Sequence, residues 1–252
     1  MRGLTNKVAV IAGGGSGIGA ATARRLAEEG ARVVVGDINA ENADRVARQI
    51  GEAGGQAISV QFDISDDASV AALVAAAVET YGGLDLLHAN AADLGIVFQD
   101  LDALTVPLEI FDRTIAVNLR GHLLCTRHAL PALLKRGGGA IVYTSSAAAF
   151  IGEPERVAYG VSKSGINALM RNVASRWGKQ GIRANALAPG FVLTETASQA
   201  PEEMLAGFLA MTRSPRLGSP SDIAALVAFL ASDDGAWING QVISIDGGAV
   251  LR

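Results

Sequence analysis

Tyr159 and Lys163 stand four residues apart in the stretch AYGVSK, which reads as part of a helix. Side chains four residues apart lie on one helix face, so the phenol and the ammonium point toward the same place. A phenol has a pKa of about 10, but a neighbouring cation favours the phenolate and lowers that pKa. The pair therefore predicts an acid–base device, of the kind needed when hydride leaves a carbinol carbon and the hydroxyl proton must leave too.

Two serines precede this pair in the stretch YTSSAAAF, and Ser146 lies thirteen residues before Tyr159. A hydroxyl beside the phenol can hydrogen-bond a substrate oxygen and hold it in place for proton transfer. Neighbouring residues of a strand point to opposite sides, so only one of Ser145 and Ser146 should face the site. An accidental Tyr–Lys pair on a helix surface would leave this serine unexplained.

A glycine-rich stretch, AGGGSGIGAATA, lies between the first predicted strand and the first predicted helix. Its residues Gly13, Gly17 and Gly19 follow the spacing G-x-x-x-G-x-G. Glycine permits a tight turn and a close approach of backbone to a pyrophosphate, and the helix N-terminus adds free N–H groups. A tight turn alone would also use glycine, but the position between strand and helix favours a nucleotide site.

Asp37 ends the second predicted strand, about twenty residues after the glycine-rich stretch. A carboxylate there can accept hydrogen bonds from both adenosine ribose hydroxyls and would repel a 2′-phosphate. Ser16 is neutral, and Ile38 and Asn39 supply no cation for that phosphate, so the prediction is NAD and not NADP. Asp63, at the end of the third predicted strand, is expected to receive the adenine amino group. Methyltransferases also combine a glycine turn with an acid after strand two, so the downstream residues must decide between these classes.

Short β-branched runs alternate along the chain with alanine-rich amphipathic runs. Strands are predicted at 8–12, 32–37, 57–63, 84–89, 140–145, 183–189 and 241–246. Helices are predicted at 17–29, 40–52, 67–80, 109–135, 157–178, 201–211 and 221–231. This alternation predicts an α/β fold with a doubly wound parallel sheet, in which ligands bind beyond the carboxyl ends of the strands.

The chain has 252 residues, 50% of them hydrophobic, and a net charge of −4. No linker, charge block or repeat divides it, so a single domain over 1–252 is expected. No run of Lys and Arg suggests a nucleic-acid or lipid surface, and no stretch approaches the roughly 20 apolar residues of a membrane helix. Cys125 is the only cysteine, and the apolar run at 8–12 is too short for a signal sequence, so a cytoplasmic protein is expected. No metal-ligand cluster is apparent, and no metal is expected.

Further motifs combine with these residues in order: Asn118 in VNLRG, then the Ser–Tyr–Lys set, then APG at 188–190 and ISIDGG at 243–248. In motif order and spacing the sequence resembles the short-chain dehydrogenase/reductase family along essentially the whole chain. The resemblance implies a Rossmann fold with strand order 3-2-1-4-5-6-7. It also implies a catalytic tetrad, which here is Asn118, Ser146, Tyr159 and Lys163.

Within the family the asparagine holds a water of a proton relay, and the lysine also binds the nicotinamide ribose. Val192 and Thr194 match positions that bind the nicotinamide carboxamide, and the spacing of the serine makes Ser145 a packed hydroxyl. The cofactor-binding residues that the resemblance implies are Gly13, Ser16, Gly17, Ile18, Gly19, Asp37, Ile38, Asp63, Ile64, Asn90, Ala91, Tyr159, Lys163, Pro189, Gly190, Val192 and Thr194.

Several residues depart from the family pattern. The family has threonine where Ala12 stands, and that hydroxyl braces the loop after strand four, so a looser brace is expected. The family motif N-N-A-G is ANAA here, with Ala89 and Ala92 in place of Asn and Gly, yet dinucleotide binding should survive. His88 stands at an apolar strand position and is expected to be a hydrogen-bonded core imidazole, not a catalytic or metal-binding one. Cys125 is expected to be a small buried hydrophobe.

Segments 93–106 and 191–215 are expected to shape the substrate pocket, the second as a flexible apolar lid. Substrate contacts are assigned to Ser146, Phe150, Phe191 and Phe208. The apolar residues favour a small neutral alicyclic or aliphatic secondary alcohol, while Arg156 leaves an acidic substrate open. The helices at 109–135 and 157–178 are apolar on more sides than one sheet face can cover, and the resemblance implies a homotetramer built through them.

Three functions follow from these observations. The first is an NAD-dependent dehydrogenase acting on a small secondary alcohol or its ketone. The second is an NADPH-dependent reductase of 3-oxoacyl thioesters, which Asp37 disfavours. The third is a dinucleotide-sensing module without catalysis, which has no need of Ser146 or Tyr159.

Overall fold

The computed structural model describes residues 1–251, in which seven strands form one sheet. Every neighbouring pair of strands is parallel, and their order is β3-β2-β1-β4-β5-β6-β7, which confirms the predicted fold class and strand order. The strands are β1 Val8–Ala12, β2 Arg32–Asp37, β3 Gln56–Gln61, β4 Leu86–Ala89, β5 Gly139–Thr144, β6 Ile182–Pro189 and β7 Val242–Ile245.

Helices connect the strands and cover both faces of the sheet. They are α1 Gly17–Glu28, α2 Ala40–Glu52, α3 Asp67–Tyr81, α4 Leu108–Ile115, α5 Gly121–Lys135, α6 Val157–Trp177, α7 Glu202–Met211 and α8 Pro220–Ala231. Successive residues of β1 explain the two-sided core, because Val8 and Val10 face one apolar cluster and Ala9 and Ile11 face the other. A strand buried on both faces must be apolar throughout, which is why β1 reads VAVIA.

Three strands end earlier than the sequence predicts, and two of these, β3 and β5, end beside predicted site residues. β3 ends at Gln61, so Asp63 follows the strand, and its backbone N–H bonds the Ser69 hydroxyl at 2.9 Å. β5 ends at Thr144, so Ser146 also follows its strand, and its hydroxyl accepts the N–H of Ala148 at 3.1 Å to start a 3₁₀ turn. In both places a side-chain hydrogen bond takes a backbone N–H out of the sheet.

The predicted helix at 109–135 is one rod made of three parts. A π-helical turn, Ala116–Arg120, joins α4 to α5 without a break. α4 packs on α6, whereas α5 packs on α3. The turn carries Asn118, and such turns are frequent at functional sites.

The apolar sides of these helices are only partly covered by the sheet, which agrees with the expectation that one sheet face cannot cover them all. Six of the residues behind that expectation are buried: Leu124, Leu130, Leu133, Ile166, Met170 and Val173. Leu123 and Val161 remain about half exposed, and Leu108 on α4 is more exposed still. The six buried residues are covered from two sides, because α5 and α6 each pack on helices as well as on the sheet.

Within residues 1–251, no helix is long and apolar enough to cross a membrane. The same part of the chain contains no group of three or more His, Cys, Asp or Glu side chains that could hold a metal ion. Cys125 is buried, as expected of a small hydrophobe, and burial raises the pKa of its thiol to about 12.

Candidate active site

The carboxyl ends of the strands surround an open cleft of about 690 Å³. Its location agrees with the rule that ligands of a doubly wound sheet bind at this edge. The predicted cofactor residues that line it are Gly13, Ser16, Gly17, Ile18, Asp37, Ile38, Asp63, Ile64, Asn90, Ala91, Tyr159, Lys163, Pro189, Gly190, Val192 and Thr194. Gly19 is the predicted cofactor residue that does not line the cleft.

The turn between β1 and α1 requires its glycines. Gly13 has φ +85°, and a Cβ there would lie 2.7 Å from Cα of Ala91. A Cβ on Gly19 would lie 1.8 Å from the Gly13 carbonyl oxygen. The first turn of α1 holds no acidic residue, and Ser16 makes no side-chain cap, so free N–H groups face the cleft. This cradle fits the pyrophosphate of a dinucleotide.

Asp37 stabilises the glycine turn as well as facing the cleft. One carboxylate oxygen accepts the N–H of Gly15 at 2.9 Å, and the other accepts the N–H of Asn39 at 3.0 Å. Each oxygen keeps a second lone pair, so the carboxylate can still accept ribose hydroxyls. Asn39 caps α2 through the N–H of Asn42, at 3.0 Å.

A cation stands near this carboxylate that sequence reasoning missed. Arg45 on α2 donates from Nη2 to the Gly15 carbonyl at 3.2 Å and to Oδ1 of Asn42 at 3.3 Å. Since the N–H of Gly15 also bonds Asp37, the guanidinium and the carboxylate both contact Gly15, one through its carbonyl and the other through its N–H. Arg45 could have been found from the sequence, because it lies one helical turn after Asn42 and therefore on the same face of α2.

Asp63 is held as an anion beside the cleft. Its Oδ1 accepts both the hydroxyl and the N–H of Ser65, at 2.7 and 2.8 Å. Those hydrogen bonds, first that of the hydroxyl, lower the pKa of Asp63 below its ordinary value. A carboxylate fixed in this way suits the predicted hydrogen bond from the adenine amino group of the cofactor.

The loop after β4 is braced despite the alanine at position 12. The Ala12 carbonyl accepts the N–H groups of Asn90 and Ala91 at 3.0 and 2.8 Å. The Asn90 side chain donates to the Gly13 carbonyl and accepts from the Thr144 hydroxyl, both at 3.0 Å. Backbone groups and the Asn90 side chain therefore hold this loop, and a looser brace than threonine would give stays a prediction.

His88 is fully buried and its Nε2 bonds the Thr144 hydroxyl at 3.0 Å, which confirms a hydrogen-bonded core imidazole. The Thr144 hydroxyl donates its hydrogen bond to Asn90, so Nε2–H of His88 must be the donor in the bond between His88 and Thr144. A second buried imidazole, His122, donates from Nε2 to the Ala89 carbonyl at 3.1 Å. Burial lowers the pKa of each histidine to about 3, so both are neutral.

Ser146, Tyr159 and Lys163 meet in the cleft, as the sequence predicts. The Ser146 hydroxyl lies near enough to the Tyr159 phenol to favour its ionised form and lower its pKa. Lys163 is buried, donates from Nζ to the Thr144 carbonyl at 2.9 Å, and lies 5.5 Å from the centre of the Tyr159 ring. Ser145 is buried and donates to the Lys163 carbonyl at 3.1 Å, which confirms it as a packed hydroxyl.

The expected lowering of the tyrosine pKa by the lysine is wrong for the chain by itself. Burial raises the pKa of Tyr159, and the Ser146 hydroxyl offsets this only in part. Burial also lowers the pKa of Lys163 to about 8. The ammonium lies over the ring and bonds a carbonyl, so it is not placed at the phenol oxygen.

Asn118 is buried and does not line the cleft. Its Oδ1 accepts the N–H of Asp93 at 2.9 Å, and Nδ2 makes no hydrogen bond within the described chain. Asp93 also pairs with Arg113 at 3.2 Å. The side chain of Asn118 therefore holds the loop after β4, and the relay role implied by the resemblance stays a prediction.

The loop after β6 forms the far wall of the cleft. Gly190 must be glycine, since a Cβ there would lie 2.9 Å from Cα of Asp246. Val192 pairs with Gly218, and Thr194 Oγ1 accepts the N–H of Ala197 at 3.1 Å. The loop therefore has a defined course where it meets the cleft.

The three predicted substrate phenylalanines are placed differently. Phe191 lines the cleft, whereas Phe150 and Phe208 do not. Phe208 on α7 stacks on Phe191 with ring centres 4.0 Å apart, so it supports the wall from behind. Arg156, the candidate for an acidic substrate, is paired with Glu153 at 2.6 Å and does not line the cleft.

Other lining residues were not predicted individually, although five of them lie in the segments 93–106 and 191–215 that were expected to shape the pocket. These other residues are Phe62, Ala92, Asp93, Leu94, Arg113, Val117, Thr144, Ser145, Glu195, Thr196 and Ala197. Most lie within three residues of a predicted site residue, so proximity to the motifs was the available signal. Arg113 is an exception, and only the fold brings it to the cleft.

Comparison with known proteins agrees with this geometry. A family model described as Enoyl-(Acyl carrier protein) reductase matches residues 12–250. A probable short-chain type dehydrogenase/reductase of Bradyrhizobium diazoefficiens is 44% identical, covering 98% of this chain and 88% of the relative. The chain belongs to the short-chain dehydrogenase/reductase family.

Two further relatives carry more specific names. The cis-4-hydroxycyclohexanecarboxylate dehydrogenase of Sinomonas cyclohexanicum is 41% identical, covering 97% of each chain. The solved structure of a 7 alpha-hydroxysteroid dehydrogenase, complexed with NADH and 7-oxo glycochenodeoxycholic acid, has a TM-score of 0.92. It is 34% identical and covers 100% of this chain and 96% of its own. The protein is thus an oxidoreductase of this family.

Proposed function

We propose that the protein is an NAD-dependent dehydrogenase that interconverts a small, neutral alicyclic or aliphatic secondary alcohol and its ketone. The observation that carries the proposal is the meeting of Ser146, Tyr159 and Lys163 in the cleft that holds the glycine turn. A binding module would need the turn but not the serine and the tyrosine. The proposal includes a single domain over 1–252 with a substrate lid at about 191–215.

The glycine turn and the free N–H groups of α1 would hold the pyrophosphate, and Asp37 the adenosine ribose. The preference for NAD rests on the Asp37 carboxylate, which would repel a 2′-phosphate. The NADH in the related hydroxysteroid dehydrogenase structure supports the same choice. Thr194 and Val192, on the opposite wall, would face the nicotinamide.

In the oxidation, Tyr159 as phenolate accepts the hydroxyl proton of the alcohol while Ser146 holds the same oxygen by a hydrogen bond. An oxidised nicotinamide bound here would accept the hydride, and its positive charge would favour the phenolate that burial alone disfavours. The Lys163 ammonium, close to the Tyr159 ring, is a second hydrogen-bond donor beside the Ser146 hydroxyl. In the reduction, Tyr159 returns the proton to the ketone oxygen.

The lining of the cleft supports a neutral substrate. Phe191, Val192, Leu94 and Ala197 are apolar, and Arg113 is paired with Asp93. The names of the two specific relatives point to ring alcohols, one a hydroxycyclohexane acid and the other a steroid. An alicyclic secondary alcohol is therefore the first class to test.

A second candidate is reduction of an acyl thioester with NADPH. The substrate meant is a 3-oxoacyl thioester, and the matching family model is described by a reductase of another acyl carrier protein thioester, the enoyl one. Arg45 near Asp37 supplies a cation that could meet a 2′-phosphate. Asp37 opposes it, since a carboxylate in that position repels the phosphate. We rank it second for that reason.

We further propose a cytoplasmic homotetramer. The single free cysteine is consistent with a reducing compartment. Leu108 on α4, Leu123 on α5 and Val161 on α6 are exposed apolar residues on the helices through which the family resemblance implies assembly. Sedimentation at several concentrations tests the assembly directly.

The first experiment is a fluorescence titration with NADH and NADPH, followed by a screen of cyclic and linear secondary alcohols with the preferred cofactor. We expect at least about tenfold tighter binding of NADH, or about 1.4 kcal/mol, and turnover of a cyclic alcohol. Equal or tighter binding of NADPH, with turnover of 3-oxoacyl thioesters alone, would support the second candidate. Binding of NADH without turnover of any alcohol or ketone would support the sensing module.

A further inference from the structure

The N-terminus of α6 carries Tyr159 in its first turn and is not capped by its own sequence. The residue before the helix, Arg156, has φ +66° and makes no side-chain cap. The first turn of any helix leaves backbone N–H groups without partners in the helix. In α6 these are the four N–H groups of residues 156–159, the last of which is that of Tyr159 itself.

A distant loop satisfies all four of these N–H groups. The Asp100 carbonyl accepts the N–H of Arg156 at 2.9 Å, and the Leu101 carbonyl accepts that of Val157 at 3.3 Å. The Asp100 carboxylate then accepts the N–H of Ala158 at 3.0 Å through Oδ1. Its Oδ2 accepts the N–H of Tyr159 itself at 2.8 Å.

Asp100 is only 2% exposed, and it lies 59 residues before Tyr159 in the sequence. A carboxylate is seldom buried unless it is paired, and here two N–H groups and the positive end of the α6 dipole stabilise it. Salt bridges of the described chain do not include Asp100, so this helix end is its partner. Removing the carboxylate would leave two buried N–H groups without acceptors.

The loop that carries Asp100 also reaches the cleft. Asp93 and Leu94, earlier in the same loop, line the cleft, and Asp93 is tied to Asn118. Ser146 comes from a different segment, the end of β5. The relative position of the serine and the tyrosine therefore depends on how firmly the first turn of α6 is held.

We propose that Asp100 is a positioning residue that sets the Tyr159 phenol against Ser146 by capping α6 from a distance. This rests on the proposed function, in which Tyr159 moves the proton. Tyr159 lies in the turn that frays when the cap is lost, whereas Lys163 lies one turn deeper. Loss of the cap should therefore affect proton transfer and leave cofactor binding largely intact.

The variants are Asp100→Ala, which removes both acceptors, and Asp100→Asn, which keeps one oxygen. The matched control is Asp85→Asn. Asp85 also uses a carboxylate to hold a distant backbone N–H, that of Val8 at 2.9 Å, but it lies at the amino ends of the strands. Four quantities are measured: kcat, the Kd for NADH, the urea midpoint, and hydrogen exchange of the peptide over 156–163.

We expect Asp100→Ala to lower kcat about 100-fold, because a displacement of about 1 Å can cost that much, with the Kd for NADH within about threefold of the parent value. Asp100→Asn should recover part of kcat, and both variants should exchange faster at 156–163. Asp85→Asn should lower the urea midpoint but leave kcat and that exchange unchanged. Should Asp100→Ala fail to fold, Asp100→Asn against Asp85→Asn makes the same comparison.

A fall in kcat shared by Asp85→Asn, or full kcat in either Asp100 variant, would overturn the proposal. Unchanged exchange at 156–163 would overturn it as well, because the cap would then not hold the turn. Failure of the proposed function is a separate result. In that case the parent protein turns over no alcohol or ketone, while hydrogen exchange still tests whether Asp100 caps α6.

Discussion

At the adenosine end of the cleft, Asp37 and Gly15 are joined across 22 residues, whereas at the catalytic end Tyr159 is held by Asp100, 59 residues away. The first arrangement is built within one β-α-β unit, so its spacing along the chain is almost fixed. The second requires a loop after β4 to reach a helix after β5. Local spacing therefore reveals the adenosine end, and only the folded chain reveals how the catalytic end is held.

The two ends also differ in electrostatics. The carboxylate at the adenosine end remains partly open to solvent and bonds two backbone N–H groups. At the catalytic end, burial raises the pKa of Tyr159 and lowers that of Lys163 to about 8. Groups whose pKa values are shifted by burial in a cleft are candidates for chemistry, so this contrast supports the proposal that one end binds the cofactor and the other transfers the proton.

The largest expected effect separates the two ends directly. Tyr159→Phe should lower kcat by about 10²- to 10⁴-fold, because it removes the group that moves the proton. The Kd for NADH, read by fluorescence titration, should stay within about threefold, since the adenosine end is untouched. Tyr81→Phe, far from the cleft, is the matched control. A parallel loss of NADH affinity would show that the two ends are not separable in this way.

The next effect concerns the buried imidazoles beneath the catalytic end, His88 and His122. Each has a folded pKa of about 3 against about 6.5 when unfolded, so the unfolded chain binds more protons between those values. Stability is therefore complete above about pH 6.5 and falls as pH drops, by about 1.4 kcal/mol per pH unit for each histidine.

Urea unfolding at pH 7 and pH 5 measures this loss. His88→Gln or His122→Gln should make the difference between the two pH values smaller, whereas His128→Gln, on the surface beside Asp67, should leave it unchanged. An equal dependence in all of these proteins would mean that the buried imidazoles do not control acid stability.

A smaller effect is expected at the adenosine end. Asp37→Ser removes the charge that would repel a 2′-phosphate and makes room beside Arg45, so the preference for NADH over NADPH should fall about tenfold. Arg45→Ala in the Asp37→Ser background should cancel the gain in NADPH affinity. Asp63→Asn, which removes another carboxylate of the cleft, should weaken the binding of NADH and of NADPH equally. Unchanged NADPH affinity in Asp37→Ser would contradict the role of the carboxylate.

The smallest effect belongs to the wall of the substrate pocket. Phe208→Ala removes the ring behind Phe191, and such aromatic pairs contribute about 0.5–1.5 kcal/mol beyond their area. We expect KM for the alcohol to rise about two- to tenfold while the Kd for NADH is unchanged. Met211→Ala, on the same helix but outside the stack, should change neither the KM for the alcohol nor the Kd for NADH. A change in NADH affinity alone would place Phe208 at the cofactor.

Local spacing predicted the alternation of strands and helices, the glycine turn and Asp37, whereas the strand order and the full set of cofactor residues came from the family resemblance. The sequence also placed Ser146 and Tyr159 in one cleft. It missed Arg45, which reaches the glycine turn from the next helix, and Asp100, whose partner is far along the chain. The pKa shift of Tyr159 was mistaken in sign because the i, i+4 spacing does not say what Lys163 Nζ bonds.

The π-helical turn at Ala116–Arg120 makes the exact number of residues between α4 and α5 important for how the two helices are oriented. Each residue of an α-helix turns it by about 100°, so the wider turn rotates α4 relative to α5 and lets one rod face both α6 and α3. Deletion of a single residue there would leave the rod helical but turn one half of it to the wrong neighbour. Insertions and deletions, more than substitutions, are the changes that this segment should not accept.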